Sequence, residues 1–213
     1  MNKILRQKLI NIAKEKLSQD DTAHDFNHAM QVLLNAERIA KVEKGDLNIV
    51  IPSALFHDIV SYPKNHPNKD KAQEESAIET EKILNSLKIF TQDQIEKIKI
   101  CILECSFSKG IKAKLLESRI LQDADLLEST GAMVLMRVFA VTGQMKRQLY
   151  NLDDPFCKTH KLDDKNFAID HFYTKLLFVK DRINTKTAKG IAIRRTKFLK
   201  LFLKELALEF KGK

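Results

Sequence analysis

The chain has 213 residues, of which 44% are hydrophobic and 31% are charged, with only 6 Gly and 4 Pro. This length supports one sizeable hydrophobic core, and the composition is typical of a helix-rich globular protein rather than a disordered or all-β one. Lys and Arg number 37 against 28 Asp and Glu, a net charge of +9 that suits an anionic ligand such as a phosphate ester, a nucleotide or a nucleic acid.

The first residues, MNKILRQKLINIAKEKL, alternate charged and apolar side chains at helical spacing, unlike a signal peptide or a membrane span. The three cysteines, Cys101, Cys105 and Cys157, have no CxxC spacing and fit free thiols in a reducing compartment. We therefore expect a cytoplasmic protein that does not interact with a membrane.

Apolar residues recur with a period of 3.6 along most of the chain, which predicts a series of amphipathic helices. In chain order, the pattern predicts helices over about 3–18, 25–42, 52–60, 73–87 and 91–105, a long or broken one over 114–141, and two last ones over 170–182 and 186–210. Pro52 is expected in a first turn, Thr91 and Gln94 in a capping box, and Gly131 at a weak point. No strand-like alternation of useful length occurs, so the predicted fold class is all-α.

Residues 143–169 do not fit the helical pattern. This segment contains NLDDPFCKTHKLDDKN, which is polar and rich in turn residues. A connection of this length inside a compact domain is usually a functional lid or a mobile loop. We expect one of these two roles here.

Three predicted helices carry ionisable residues close to apolar positions. His57 and Asp58 lie within PSALFHDIVSY, Asp125 follows Asp123 in front of two leucines, and His28 lies among apolar residues of the second helix, four positions after His24. Burying an ionised carboxylate without a partner costs several kcal/mol, so each group needs a compensating interaction.

A divalent cation would satisfy these groups together, because imidazole nitrogens and carboxylate oxygens from different helices can bind one ion. The simpler interpretation is a set of hydrogen-bonded polar residues in the core, and it suffices for any one of the three sites alone. The recurrence of such residues in three separate helices favours the cation.

The order His28, His57–Asp58, Asp125 resembles the H…HD…D signature of the HD-domain metal-dependent phosphohydrolases. Flanking stretches also resemble this superfamily, in particular the uncharacterised YedJ-like subgroup, over residues 20–205: AHDFNHAMQV, ALFHDIV, EESA, SFSKG, QDADLLESTGAMVLMRVF, HFYTKLL and NTKTAKGIA. The resemblance implies a single all-helical HD domain over 1–213, with its core at about 20–142 and the C-terminal helices, about 170–210, packed on it.

The resemblance also implies a metal centre and a reaction. His28, His57, Asp58 and Asp125 would bind one divalent ion, commonly manganese, magnesium, iron, nickel or cobalt. Hydrolysis of a phosphate ester by a metal-activated water would follow, and the substrate would be a nucleotide or another small phosphorylated metabolite.

Further residues are candidates for catalysis and for substrate binding. Glu75, in EESA, would act with Asp58 in catalysis by accepting a proton from the water, although an acidic residue is favoured in a helix's first turn in any case. Lys109, His171 and Lys175 would bind the phosphate, or else serve as ordinary loop and helix-end residues.

Three positions depart from the family pattern: Gln31 and Cys105 stand where relatives often carry arginine and histidine, and Leu126 where they often carry a basic residue. These departures leave open a metal-binding regulatory or scaffold protein with weak or no catalysis. A helical nucleic-acid-binding protein is a further alternative, supported only by the charge. Neither the substrate nor the oligomeric state follows from the sequence.

Overall fold

The computed structural model describes residues 1–17, 25–62, 66–105 and 110–213. Within these ranges the chain forms nine α-helices, two 3₁₀ helices and one isolated bridge between Gln148 and Phe167, with no strand. The all-α prediction is confirmed. The α-helices are α1 Lys3–Lys16, α2 Phe26–Glu43, α3 Leu47–Phe56, α4 Ala72–Leu87, α5 Gln92–Glu104, α6 Leu116–Leu127, α7 Gly131–Gln144, α8 Asp170–Thr174 and α9 Lys186–Glu209, and the 3₁₀ helices are Lys69–Lys71 and Leu176–Arg182.

Backbone contacts divide the chain into two compact units, Met1–Asp125 and Leu126–Lys213. The single domain remains a prediction. No single helix within the described residues is long and apolar enough to cross a bilayer, although α6 and α7 taken together pass that test by length and composition.

Helix α3 is the centre of the first unit. All residues from Ile49 to Phe56 are buried, and the helix contacts α1, α2, α4 and α5. A helix that is apolar around its whole circumference belongs in a core. The residues that follow its C-terminus, His57 and Asp58, are therefore positioned by the best-packed element of the unit.

The predicted bounds of this helix were wrong at both ends. Helix α3 begins at Leu47, where the Asp46 carboxylate accepts a hydrogen bond from the Asn48 N–H at 2.7 Å, and Pro52 lies at its sixth position instead of its first turn. Burial of the apolar helix outweighs the local cost of an internal proline. At the other end, His57 and Asp58 lie in a turn just beyond the helix.

The second unit packs α7, α8, the second 3₁₀ helix and α9 around a core that includes Phe172, Leu176 and Leu199. The continuous helix predicted over 170–182 is wrong. Lys175 has φ −136° and ψ −60°, outside the helical region, so α8 ends at Thr174 and a 3₁₀ helix follows.

The weak point expected at Gly131 is confirmed. Gly131 has φ +73°, a left-handed conformation that glycine adopts readily, and it begins α7 four residues after the end of α6. The Arg195 guanidinium donates a hydrogen bond of 2.9 Å to the Leu127 carbonyl and so satisfies a backbone group at the end of α6.

The segment 145–169 contains no helix and is held by its own hydrogen bonds. Arg147 donates to the Thr142 hydroxyl at 2.6 Å and to the Asp164 carbonyl at 2.5 Å. The bridge between Gln148 and Phe167 joins the two ends of the segment. Its role as a lid or mobile loop stays a prediction.

Candidate metal centre

Three predicted ligands from separate helices meet in the first unit. One ring nitrogen each from His28 and His57 and one carboxylate oxygen of Asp125 all lie within 4.8 Å of one another. His28 is in the first turn of α2, His57 follows α3, and Asp125 is near the end of α6. The structure thus brings together residues that are up to 97 positions apart along the sequence, between His28 and Asp125.

The ring of His57 is fixed by the end of α3. Its Nδ1 lies 2.9 Å from the Ala54 carbonyl oxygen. A carbonyl oxygen can only accept, so Nδ1 carries the hydrogen and satisfies one of the last carbonyls of the helix. In a neutral ring the lone pair is then on Nε2, which is the tautomer that a metal ligand requires.

The surroundings of His57 Nε2 support this assignment. The ring is 2% exposed, and Nε2 forms no hydrogen bond to any atom of the described residues. Its near neighbour is Asp58 Oδ2 at 3.3 Å. A buried ring nitrogen without a hydrogen bond is costly, so this atom fits a metal ligand.

His28 and Asp125 are held near each other by contacts between α2 and α6. The Asp25 side chain caps α2 by accepting the His28 backbone N–H at 2.8 Å, and His28 Nε2 lies 3.5 Å from Asp125 Oδ1. Seven residues after His28, on the same helix face, the buried Asn35 amide donates to the Ala124 carbonyl at 3.4 Å. Asn35 was not predicted, although its polar side chain two turns from His28 is a detectable signal.

Asp58, the fourth predicted ligand, lies beside the two imidazoles but is not part of the group of donor atoms within 4.8 Å of one another. Its Oδ2 lies 3.3 Å from His57 Nε2 and 3.8 Å from His28 Nε2. The two imidazole side chains are 2–3% exposed, whereas the carboxylates of Asp58 and Asp125 are 18% and 29% exposed. The centre therefore has a buried imidazole side and a carboxylate side that reaches solvent.

The electrostatics of the centre favour a cation. Burial alone would lower the pKa of His57, but the carboxylates of Asp58 and Asp125 and the Ala54 carbonyl outweigh it and raise that pKa to about 9. The carboxylates thus attract positive charge to the position that His57 Nε2 faces.

The donor atoms have spacings suited to a transition metal. Nitrogen and oxygen ligands lie about 2.0–2.2 Å from such an ion, so neighbouring ligand atoms are roughly 3–4 Å apart. The distances of 3.3, 3.5 and 3.8 Å between imidazole nitrogens and carboxylate oxygens fall in this range. A set of two imidazoles and two carboxylates fits a divalent ion from manganese to nickel.

Cys105, one of the three departures from the family pattern, lies close to this centre. It is buried at the end of α5, and burial together with the charges of Asp125 and Asp58 raises its pKa well above the usual range of a thiol. Cys105 is therefore a neutral thiol beside the carboxylates, where a histidine would offer a further ligand.

Glu75 lies in the first turn of α4, as predicted. The Tyr62 hydroxyl donates to its carboxylate at 2.5 Å, and the next residue, Ser76, accepts a hydrogen bond from the Val60 N–H at 3.1 Å. These contacts tie α4 to the segment just after Asp58. Tyr62 was not predicted, and no local pattern connects it with Glu75.

The remaining candidates are not among the described residues of the first unit. Lys109 and His24 are outside the described residues. His171 and Lys175 belong to the second unit, where burial, followed by the charge of Lys175, lowers the pKa of His171 against the opposing effect of Asp164. His171 Nδ1 lies 3.2 Å from an Asp164 oxygen. Their role in substrate binding stays a prediction.

The chain belongs to the HD-domain superfamily. The HD domain pattern matches residues 25–130, a range that includes all four predicted ligands as well as Glu75 and Lys109. The superfamily that the sequence resembles is therefore confirmed.

Particular relatives share the fold over nearly the whole chain. The uncharacterized protein YpgQ of Bacillus subtilis is 29% identical over 202 residues, covering 92% of this chain and 89% of that protein. The crystal structure of YpgQ in complex with ADP superposes with a TM-score of 0.73 and 25% identity, over 97% of this chain and 98% of that one. An HD-superfamily hydrolase from Bacillus thuringiensis has a TM-score of 0.77 and 25% identity, over 99% and 98% of the two chains. A protein of Listeria innocua is 30% identical with a TM-score of 0.69, again over 99% and 98%.

Proposed function

We propose that this protein is a metal-dependent phosphohydrolase that acts on a nucleotide or another small phosphorylated metabolite. The observation that carries the proposal is the meeting of His28, His57 and Asp125 donors within 4.8 Å, with Asp58 Oδ2 beside both imidazoles. The hydrolase relative of similar fold supports hydrolysis as the reaction.

The four residues would hold one divalent ion of manganese, magnesium, iron, nickel or cobalt. Such an ion, when bound, polarises a phosphoryl oxygen and lowers the pKa of water. The partly exposed carboxylates of Asp58 and Asp125 leave one side of the centre open to solvent, which gives a phosphate ester and a water molecule a route to it.

Glu75 is the proposed proton acceptor, and it would act with Asp58. Its carboxylate is oriented by the Tyr62 hydroxyl, and a fixed carboxylate can accept a proton from an attacking water. Positive side chains would bind the phosphate, and our candidates remain Lys109, His171 and Lys175.

A nucleotide is the preferred substrate class because the relative YpgQ was crystallised with ADP. We also propose a cytoplasmic location, where nucleotides are abundant and the three thiols would stay reduced. We keep the YedJ-like subgroup as a proposal too, although the named relative is YpgQ.

A second candidate function is a metal-binding regulatory or scaffold protein with little turnover. The observation in its favour is the neutral, buried thiol of Cys105 beside Asp58 and Asp125. Such a site would bind the ion yet lack a ligand or proton donor needed for catalysis.

A metal-supplemented hydrolysis screen tests the proposal and separates it from the scaffold function. Release of phosphate or pyrophosphate from nucleotides and sugar phosphates would be measured with Mn²⁺, Co²⁺, Ni²⁺ and Mg²⁺. We expect hydrolysis that is abolished in Asp58→Asn and retained in Asp93→Asn, a matched change of an exposed aspartate in the same unit.

Two further measurements distinguish the hydrolase from the scaffold: the metal content of Asp58→Asn and the kcat of Glu75→Gln. Loss of bound ion in Asp58→Asn without wild-type hydrolysis of any substrate would favour the scaffold, whereas unchanged ion content would contradict both functions. Glu75→Gln should retain the ion and lower kcat by a factor of roughly 10²–10⁴ if Glu75 accepts the proton.

A further inference from the structure

A second group of metal-binding side chains lies in the second unit. Donor atoms of Cys157, His160 and Asp170 all lie within 4.8 Å of one another. His160 Nε2 is 2.8 Å from Asp170 Oδ2, and the Cys157 thiol donates to Asp170 Oδ1 at 3.2 Å. The group thus places sulfur, nitrogen and oxygen donors around one point. It shares no residue with the candidate metal centre of His28, His57, Asp58 and Asp125, which we call the HD centre.

The ring of His160 is oriented as in many metal sites. Its Nδ1 lies 3.0 Å from Asp154 Oδ2, so a carboxylate holds one ring nitrogen while Nε2 faces Asp170. Asp154 is itself fixed, because it accepts the backbone N–H groups of Lys158 at 3.0 Å and Thr159 at 2.6 Å. A carboxylate on the far nitrogen of a histidine sets its tautomer and strengthens it as a ligand.

Burial and backbone conformation support a dedicated site. Asp170 is 1% exposed at the start of α8, and its charge is compensated by the Asp163 N–H at 2.7 Å together with His160 Nε2 and the Cys157 thiol, so its carboxylate is held in a fixed position. Cys157 has φ +55°, a left-handed conformation that is uncommon for residues other than glycine. Strained backbone of this kind concentrates at functional sites.

The geometry disfavours a cysteine nucleophile. The thiol of Cys157 donates to the Asp170 carboxylate, and both ring nitrogens of His160 are engaged by carboxylates. A nucleophilic cysteine needs a base that can take its proton, usually a histidine in direct contact. Here His160 Nε2 faces Asp170 Oδ2 at 2.8 Å instead of the Cys157 sulfur, so the ring is not oriented to take the proton of the thiol.

We propose that Cys157, His160 and Asp170 form a second metal site that takes a zinc-like transition metal ion. Zinc binds thiolate, imidazole and carboxylate together, and the two-residue gap between Cys157 and His160 is similar to the short ligand spacings of zinc sites. Three protein ligands leave one tetrahedral position for water or a further ligand. The ion would connect the 145–169 segment to α8.

Cobalt substitution gives the decisive test, because only a thiolate ligand produces a sulfur-to-cobalt charge-transfer band in the near ultraviolet. Protein treated with a chelator would be titrated with Co²⁺, and then with Zn²⁺ in competition with a chromophoric chelator. We expect the band in the wild type and in Asp58→Asn/Asp125→Asn, which removes two ligands of the HD centre. Zn²⁺ should displace the cobalt.

Cys157→Ser is the sharpest variant, since the serine hydroxyl can still donate to Asp170 and so preserve the metal-free hydrogen bonds. We expect it to abolish the band and to weaken Zn²⁺ binding at this site by at least roughly tenfold. Cys105→Ser is the matched control and should retain the band. An unchanged circular dichroism spectrum would show that each variant folds.

Two results would overturn the proposal. One is a wild-type protein without a thiolate band at saturating Co²⁺. The other is a band that persists in Cys157→Ser and disappears in Cys105→Ser, which would assign the sulfur to the neighbourhood of the HD centre.

Discussion

The raised pKa of His57 predicts that metal binding at the HD centre is coupled to proton release. With a pKa of about 9, His57 is protonated at neutral pH in the metal-free protein. At pH 7, two pH units below that pKa, only about 1% of the molecules have a neutral His57 ring. An incoming ion must therefore displace about one proton. This competition costs roughly 100-fold in affinity at pH 7.

The affinity for the ion should increase with pH. Because the proton competes with the ion, affinity should rise by about tenfold per pH unit between pH 6.5 and 8 and level off near pH 9. In the metal-free protein the same shift stabilises the fold fully below the unfolded pKa of about 6.5, and this stabilisation is lost as the pH rises through about 9.

Titration calorimetry with Mn²⁺ in buffers of different ionisation enthalpy measures both the affinity and the number of protons released per ion. We expect release of about one proton per ion at pH 7 in the wild type. Asp58→Asn removes a proposed ligand together with the carboxylate that raises the His57 pKa most, so the heat of Mn²⁺ binding and the proton release that accompanies it should both disappear. Mn²⁺ binding at this centre without proton release at pH 7 would refute the reasoning.

Three further predictions concern stability and ligand positioning. Gly131→Ala should lower the free energy of unfolding by about 1–2 kcal/mol in denaturant titrations, because φ is +73° and a Cβ would lie 3.1 Å from the Arg195 side chain. Asp154→Asn should make the thermal unfolding temperature less sensitive to acid. Hydrogen bonds from the Lys158 and Thr159 N–H groups lower the Asp154 pKa, so the stability that they confer is present above about pH 4 and is lost as the pH falls below it. Asn35→Leu should weaken Mn²⁺ binding by about tenfold in a competition assay, because the amide that ties α2 to the backbone next to Asp125 is lost.

Each of these predictions has a contrary outcome. Gly190→Ala is the control for Gly131, because it lies inside α9 with no atom within 4 Å of a new Cβ and should stabilise the protein by about 0.5–1 kcal/mol. Equal effects of the two substitutions would contradict the backbone argument. An unchanged acid profile in Asp154→Asn, or unchanged affinity in Asn35→Leu, would show that these hydrogen bonds do not have the assigned roles.

The candidate ligands of the HD centre are detectable in the sequence because they conflict with their surroundings. His57 and Asp58 follow a run of apolar residues that can only be a core helix, so the need for a compensating partner is visible in the sequence. Asn35 carries a similar local signal, because its helical spacing from His28 places it on the same face.

Other features depend on contacts that no local pattern encodes. The start of α3 at Leu47 was missed because Pro52 is usually a signal for a first turn, and only the burial of the whole helix outweighs it. The hydrogen bond between Tyr62 and Glu75 joins two elements 13 residues apart. The group around Asp170 is built by a loop whose polar sequence predicts no particular conformation.

The contact between His57 and the Ala54 carbonyl would make the length of α3 part of the proposed metal chemistry. The ring that closes the last turn of the helix also presents Nε2 to the other donors. Each residue added to or removed from an α-helix turns everything beyond it by about 100° and moves it by about 1.5 Å. An insertion or deletion within α3 would therefore direct His57 and Asp58 away from His28 and Asp125 even if the core repacked without loss. The number of residues in this helix thus fixes the position of two candidate ligands relative to the other two.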